Sequence, residues 1–279
     1  MRLRFFGSTG VAVPVVGQGT WRISTRSGRS AVAALGRGLD RGMTHIDTAE
    51  MYDDAEVVIA EAIGARRDEV FLVSKVLPDH ASTAGVVGAC EHSLSRLKTD
   101  RLDCYLLHWR GRHPLEDTIA GFERLVQDGK IVSWGVSNFD VRDLDEALAI
   151  AGPGRIACNQ VLYHLEERSI EHGVIPWCEA NAVAVVAYTP FGPDRFPAPS
   201  SPGGRALAKV ATRIGATPRQ VALAFLTRES SMFAIPKSAS SVHTAENAGA
   251  GDIVLSDDDA QRIDAAFPVG ARRSSLAML

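Results

Sequence analysis

The sequence is short of several features that mark common functional classes. Its 279 residues hold four cysteines, Cys90, Cys104, Cys158 and Cys178, and no two of them form a C-x-x-C pair. That spacing supports neither a zinc knuckle nor a redox dithiol, and the reading is buried, reduced thiols. The eight histidines show no H-E-x-x-H or H-x-H spacing, so no metal is expected, and His164 and His172 are read as surface residues. No apolar stretch approaches the roughly 20 residues of a membrane span, and the opening MRLRFFGSTG has no signal-peptide core. Lysine and arginine total 30 against 33 acidic residues, a net charge of −3 without a basic stripe. Neither nucleic acid nor a membrane is expected as a partner, and the expected location is cytoplasmic. There is no G-x-G-x-x-G after a strand, which argues against a Rossmann mode of dinucleotide binding.

What is present is a repeat of β-α units. Short apolar, β-branched runs start near Val15, Met43, Val70, Leu102, Ile131, Ile156, Ala182 and Ser231. Several are apolar at consecutive positions, as a parallel strand covered on both faces requires. Between them lie amphipathic stretches, including Ser30 to Arg41, Ser82 to Leu97, Leu115 to Gln127 and Ala206 to Ile214. Eight such units in about 250 residues predict an α/β fold, a (β/α)8 TIM barrel, as a single domain over residues 1–279. The segment from Phe5 to Val16 reads as a short N-terminal β-hairpin plugging one barrel end, and Thr189 to Gly204 as a long loop on the active face.

Asp47, Lys75, His108, Asn138, Gln160 and Lys237 each stand at or near the C-terminal end of a predicted strand. In a barrel those ends share one face, where active sites of this architecture are built. Any one of these residues alone has an ordinary explanation: a strand-end aspartate caps helices, and a lysine snorkels. Together with Tyr52 they suggest a particular chemistry. A phenol titrates near pH 10 and is a poor acid at neutral pH. An ammonium within reach favours the phenolate, and a carboxylate holds that ammonium charged. A neighbouring imidazole would then orient a substrate carbonyl. With no side chain needed as nucleophile, hydride from a nicotinamide is the missing part.

These residues resemble the aldo-keto reductases over nearly the full chain. His45-Ile46-Asp47-Thr48-Ala49-Glu50-Met51-Tyr52 is similar to the family's signature around its Asp and Tyr, and Val73-Ser74-Lys75-Val76 and Leu106-Leu107-His108-Trp109 follow in order. The resemblance implies a catalytic tetrad of Asp47, Tyr52, Lys75 and His108. It also implies Ser137, Asn138 and Gln160 on a nicotinamide carboxamide, Tyr188 as its stacking face, Lys237 and Ser238 on the 2′-phosphate, and Glu246 and Asn247 at the adenine. Trp21, Met51 and Trp109 match pocket-lining positions, with core packing as their alternative. The cofactor implied is NADPH, with NADH left open, the substrate a small aldehyde or ketone, and the state a monomer.

Three departures stand out. His243 replaces an arginine that many members direct at the phosphate, and imidazole makes no bidentate contact. Asp53 and Asp54 follow Tyr52 where glycine is common. The chain ends soon after Phe267, so the pocket-closing C-terminal loop is expected to be short or absent and the pocket open. Two alternatives remain at this point: a barrel aldolase using Lys75 as a Schiff base, and a non-catalytic nucleotide-sensing module of the same fold. A serine hydrolase is disfavoured because no G-x-S-x-G elbow occurs.

Overall fold

Eight parallel strands pair in strict chain order in the computed structural model, which describes residues 1–193, 195–273 and 275–279. They are β3 (Gln18–Gly19), β4 (His45–Asp47), β5 (Phe71–Val76), β6 (Leu102–Leu107), β7 (Ile131–Ser137), β8 (Ile156–Leu162), β9 (Ala184–Tyr188) and β10 (Met232–Ala234). The ends of this sheet meet. Val16 bridges Ala234 and Gly19 bridges Lys237 in parallel, with Gly17 N donating to Ala234 O at 2.8 Å and Ala234 N to Val15 O at 2.9 Å. The result is the predicted (β/α)8 barrel, and each strand falls on one of the eight apolar runs. β5 and β8 are buried along their whole length because helices cover them outside and side chains fill them inside.

The crossover helices begin where capping chemistry allows. Ser82 caps α3 (Thr83–Leu97) by accepting from Gly85 N, and α4 (Leu115–Gln127) matches its predicted span. Asp140 and Asp143 form a reciprocal capping box for α5 (Val141–Ala151), as Thr217 and Gln220 do for α8 (Pro218–Leu226). α1 spans Gly28–Asp40, α2 Ala55–Ile63 and α6 Val174–Ala180. α7 (Pro202–Ile214) starts four residues before its predicted first residue, because Ser201 caps it and Pro202 suits the first turn. The active-face loop is correspondingly shorter; its Asp194 lies outside the described residues. α9 (Ser241–Gly249) and α10 (Asp257–Ala266) complete the chain order.

The N-terminal hairpin, β1 (Leu3–Phe5) against β2 (Ala12–Pro14), closes the barrel bottom as expected. Phe6 is fully buried, with ring centroids 4.8 Å from Phe71 and 5.2 Å from Phe233. The next residue must be glycine: Gly7 sits at φ 57, and a Cβ there would lie 2.2 Å from Ala157 O. All four cysteines are free and buried. His164 departs from its surface reading. It is 8% exposed because an antiparallel bridge to Glu167 folds the loop over it. Among the described residues no helix is long and apolar enough to cross a membrane.

Since Phe6 carries the bottom packing, Phe6→Ala is expected to lower unfolding free energy by about 3–5 kcal/mol in urea titration. A loss below about 1 kcal/mol would show that the plug is not part of the core.

Candidate active site

The strand-end residues gather around one cavity of about 300 Å3 at the top of the barrel. Asp47, His108, Asn138, Gln160 and Lys237 line it, together with Trp21, Met51, Tyr52, Trp109, Ser137 and Tyr188. Lys75 lies just beneath, wholly buried. Barrel closure brings these residues together from positions as far apart as 21 and 237.

Lys75 Nζ donates to Asp47 Oδ1 at 2.6 Å and to Thr48 O at 2.6 Å. Asp47 Oδ2 accepts from Gln160 Nε2 at 2.7 Å. Burial pushes the Asp47 carboxyl up against the pull of both donors. Burial also opposes the Lys75 charge, but the contacts with Asp47 and Tyr52 outweigh it and hold the amine above its ordinary range. With a donor on each carboxylate oxygen, the pair is ionic. The ammonium stands 5.0 Å from the Tyr52 ring centroid. Here the expectation of an acidified phenol needs correction. Burial raises the Tyr52 pKa and Asp47 adds to the rise; together they outweigh the pull of Lys75, so the phenol stays protonated.

His108 meets Tyr52 edge-on, ring centroids 5.7 Å apart, and packs against Trp109 at 4.8 Å. Burial, reinforced by the Lys75 charge, pushes its imidazole down to about 2. His108 Nδ1 is buried without a hydrogen-bond partner. Asn138, at φ 61, donates to His108 O at 3.1 Å and accepts from the Tyr188 hydroxyl at 3.0 Å. Ser137 Oγ donates to Gln160 O at 2.8 Å. This side of the cavity therefore presents amides and a hydroxyl next to one aromatic face.

Ser238, His243, Glu246 and Asn247 do not line the cavity; they lie beyond Lys237, on the approach to α9 and within it. Ser238 Oγ donates to Ser240 O at 3.0 Å, and Ser240 caps the helix. His243 is exposed in the first turn. Glu246 Oε1 accepts from Thr217 Oγ1 at 2.7 Å, and Asn247 is 4% exposed. Trp21 and Met51 are 40% and 44% exposed, which makes them cavity wall and not core.

A model of the aldo/keto reductase family matches residues 15–267. The chain belongs to the aldo/keto reductase family. Methylglyoxal reductase YeaE of Escherichia coli (strain K12) is 40% identical to it over 273 residues, 96% of each chain. Glyoxal reductase of Bacillus subtilis (strain 168) is 32% identical, over 92% of this chain and 90% of its own. A crystal structure of an aldo-keto reductase from Klebsiella pneumoniae in complex with NADPH shares 42% identity and a TM-score of 0.88, with both chains covered completely.

The structure of this aldo/keto reductase corrects the expectation of an uncovered pocket. Met278 and Leu279 line the cavity beside Tyr188. The short tail reaches so far because it is staked on the way. Arg168 Nη1 donates to Phe267 O at 2.6 Å, His172 Nε2 lies 3.1 Å from Gly270 O, and Arg273 pairs with Glu167 at 3.0 Å. Sequence reasoning also missed Thr20, Thr189 and Ile235 as lining residues. Thr20 and Thr189 directly adjoin Trp21 and Tyr188, a proximity that could have flagged them, whereas nothing in the sequence signals the tail.

His45, like His108, is buried and neutral, its imidazole pushed down to about 3 by burial and then by Lys75. Both groups bind a proton in the unfolded chain near pH 6.5 but not in the folded one. Their contribution to stability is therefore present above pH 6.5 and is lost as the pH falls below it. Between pH 6 and pH 5 each imidazole is expected to cost about 1 kcal/mol. His108→Gln should flatten the pH dependence of unfolding free energy by that amount, measured in urea at the two pH values; an unchanged slope would show that His108 is charged in the fold.

Proposed function

We propose that this aldo/keto reductase is an NADPH-dependent carbonyl reductase for small, uncharged aldehydes and ketones, dicarbonyls of the methylglyoxal type among them. The observation that supports this most is a protonated phenol and a neutral imidazole at one end of a cavity, with a buried ion pair beneath them. The donor set beside them suits a nicotinamide: Ser137, Asn138 and Gln160 for the carboxamide, and the Tyr188 ring for a stacked heterocycle. Lys237, Ser238 and His243 would meet the phosphate end, with Glu246 and Asn247 at the adenine. The names of the relatives, a methylglyoxal and a glyoxal reductase, and the NADPH of the Klebsiella structure agree with this assignment.

When bound, the reduced nicotinamide supplies a hydride to the carbonyl carbon. The protein's residues deal with the oxygen. His108, neutral at working pH, donates a hydrogen bond that positions the carbonyl and stabilises the charge growing on its oxygen. Tyr52 gives that oxygen its proton, leaving an alcohol. The phenolate that remains is stabilised by Lys75, whose charge Asp47 maintains. Lys75 thus eases the departure of the proton, offsetting part of what burial adds to the Tyr52 pKa. An amine held charged in an ion pair is also a poor Schiff-base nucleophile, which disfavours the aldolase reading. Trp21, Met51, Trp109, Met278 and Leu279 make the remaining walls apolar, and Lys237 is the only cationic residue lining the cavity among the described residues. Compact uncharged carbonyls suit that surface better than polyanions.

Tyr52→Phe is expected to abolish NADPH consumption with methylglyoxal while NADPH still binds in fluorescence titration; turnover near the wild-type rate would remove the mechanism. His243→Arg should tighten NADPH binding about tenfold, the worth of one charge-assisted contact, and leave NADH unchanged. An equal effect on both cofactors would place His243 away from the 2′-phosphate.

A further inference from the structure

One buried carboxylate takes no part in the chemistry above. Glu56, in the first turn of α2, is 0% exposed. Its Oε1 accepts from Ser74 Oγ at 2.9 Å and its Oε2 from Arg96 Nε at 3.0 Å. Ser74 is the residue before Lys75 on β5. Arg96 comes from the last turn of α3, and its Nη2 donates to the carbonyl oxygen of Asp53. Asp53 follows Tyr52 directly.

Asp53 stands at φ 39, in the left-handed region that a residue with a Cβ rarely adopts. The turn around it is tight: Tyr52 N donates to Ala49 O at 3.0 Å, Asp53 N to Met51 O at 3.1 Å, and Ala55 N to Tyr52 O at 2.8 Å. Such a conformation persists where the surroundings over-determine it. Arg96 provides that restraint from outside the turn. Its guanidinium fork spans the buried carboxylate and the strained carbonyl at once, a geometry that an ammonium does not reproduce.

We propose that Arg96, held by Glu56, is a positioning residue that sustains the left-handed turn at Asp53 and so aims the Tyr52 hydroxyl at Lys75 and the substrate oxygen. The network runs from the strand carrying the amine, through Ser74, Glu56 and Arg96, to the loop carrying the phenol. It fixes the two groups relative to each other without touching the cavity. The inference rests on the carbonyl-reductase reading of the site.

The test is a set of variants assayed for kcat, KM and NADPH dissociation constant, with methylglyoxal as substrate. Glu56→Gln with Arg96→Gln removes the fork without stranding a buried charge. It is expected to lower kcat about a hundredfold, the cost of a small misplacement of a catalytic group, and to leave the NADPH dissociation constant unchanged. Adding Asp53→Gly should restore most of the lost kcat, because glycine enters the left-handed region without strain. A general loss of packing would not be reversed by a glycine. Wild-type kcat in the double variant, or no recovery with Asp53→Gly while NADPH binding stays native, overturns the proposal. Should the double variant not fold, Arg96→Lys, which keeps a charge for Glu56 but lacks the fork, is read by the same two criteria. No turnover by the wild type, or full turnover by Tyr52→Phe, would instead remove the carbonyl-reductase reading and the positioning role with it.

Discussion

The buried contact between Asp47 and Lys75 is the constraint around which the top of the barrel is organised. Two unit charges taken out of water cost several kcal/mol each, and the cost is recovered only where geometry and further hydrogen bonds are good. Here Gln160 takes the second carboxylate oxygen and Thr48 O takes a second ammonium hydrogen. Burial, reinforced by the same charge, keeps both nearby imidazoles neutral, and that charge draws the Tyr52 pKa down against the opposing effect of burial. Stability and the electrostatics of the cavity therefore rest on one interaction. Removing either partner would strand the other in the barrel interior.

Much of the fold was legible because parallel strands carry their own signature. Runs such as those from Val70 and Ile156 are apolar at consecutive positions, a pattern that a helix covering one face does not produce. Helix starts were legible where a cap preceded them, as at Ser82, and obscured where capping residues sat inside a Pro/Gly/Ser-rich stretch, as at Ser201. The site was legible because its residues stand at strand ends, and strand ends converge by topology. What the sequence concealed was tertiary in origin. The balance between burial and Lys75 at Tyr52 depends on how completely the pocket excludes water. The path of the tail depends on Arg168, His172 and Glu167 meeting segments about a hundred residues away. His164 was misread for the same reason, since a loop that folds back on itself buries a residue that linear context leaves exposed.

The walls of the cavity differ in kind. One side presents amides and hydroxyls from strand ends, rigid because each also bonds to a neighbouring strand. The other presents tryptophan, methionine and leucine from loops and the tail, which adapt by rotating. A fixed polar side sets orientation, and an adaptable apolar side tolerates variation in what is oriented, a division that suits one reaction on several small substrates.

The barrel seam between β3 and β10 is also part of the cavity wall, since Gly19, Thr20, Ile235 and Lys237 line it. That seam joins segments more than 200 residues apart in the chain, and bringing them together carries a large loop-closure entropy. A molecule lodged against it spans the first and last strands and acts as a clasp between the two ends of the polypeptide. Occupancy of the cavity is thereby coupled to global unfolding by mass action, and the seam is where a filled and an empty protein would differ most in how readily the barrel opens.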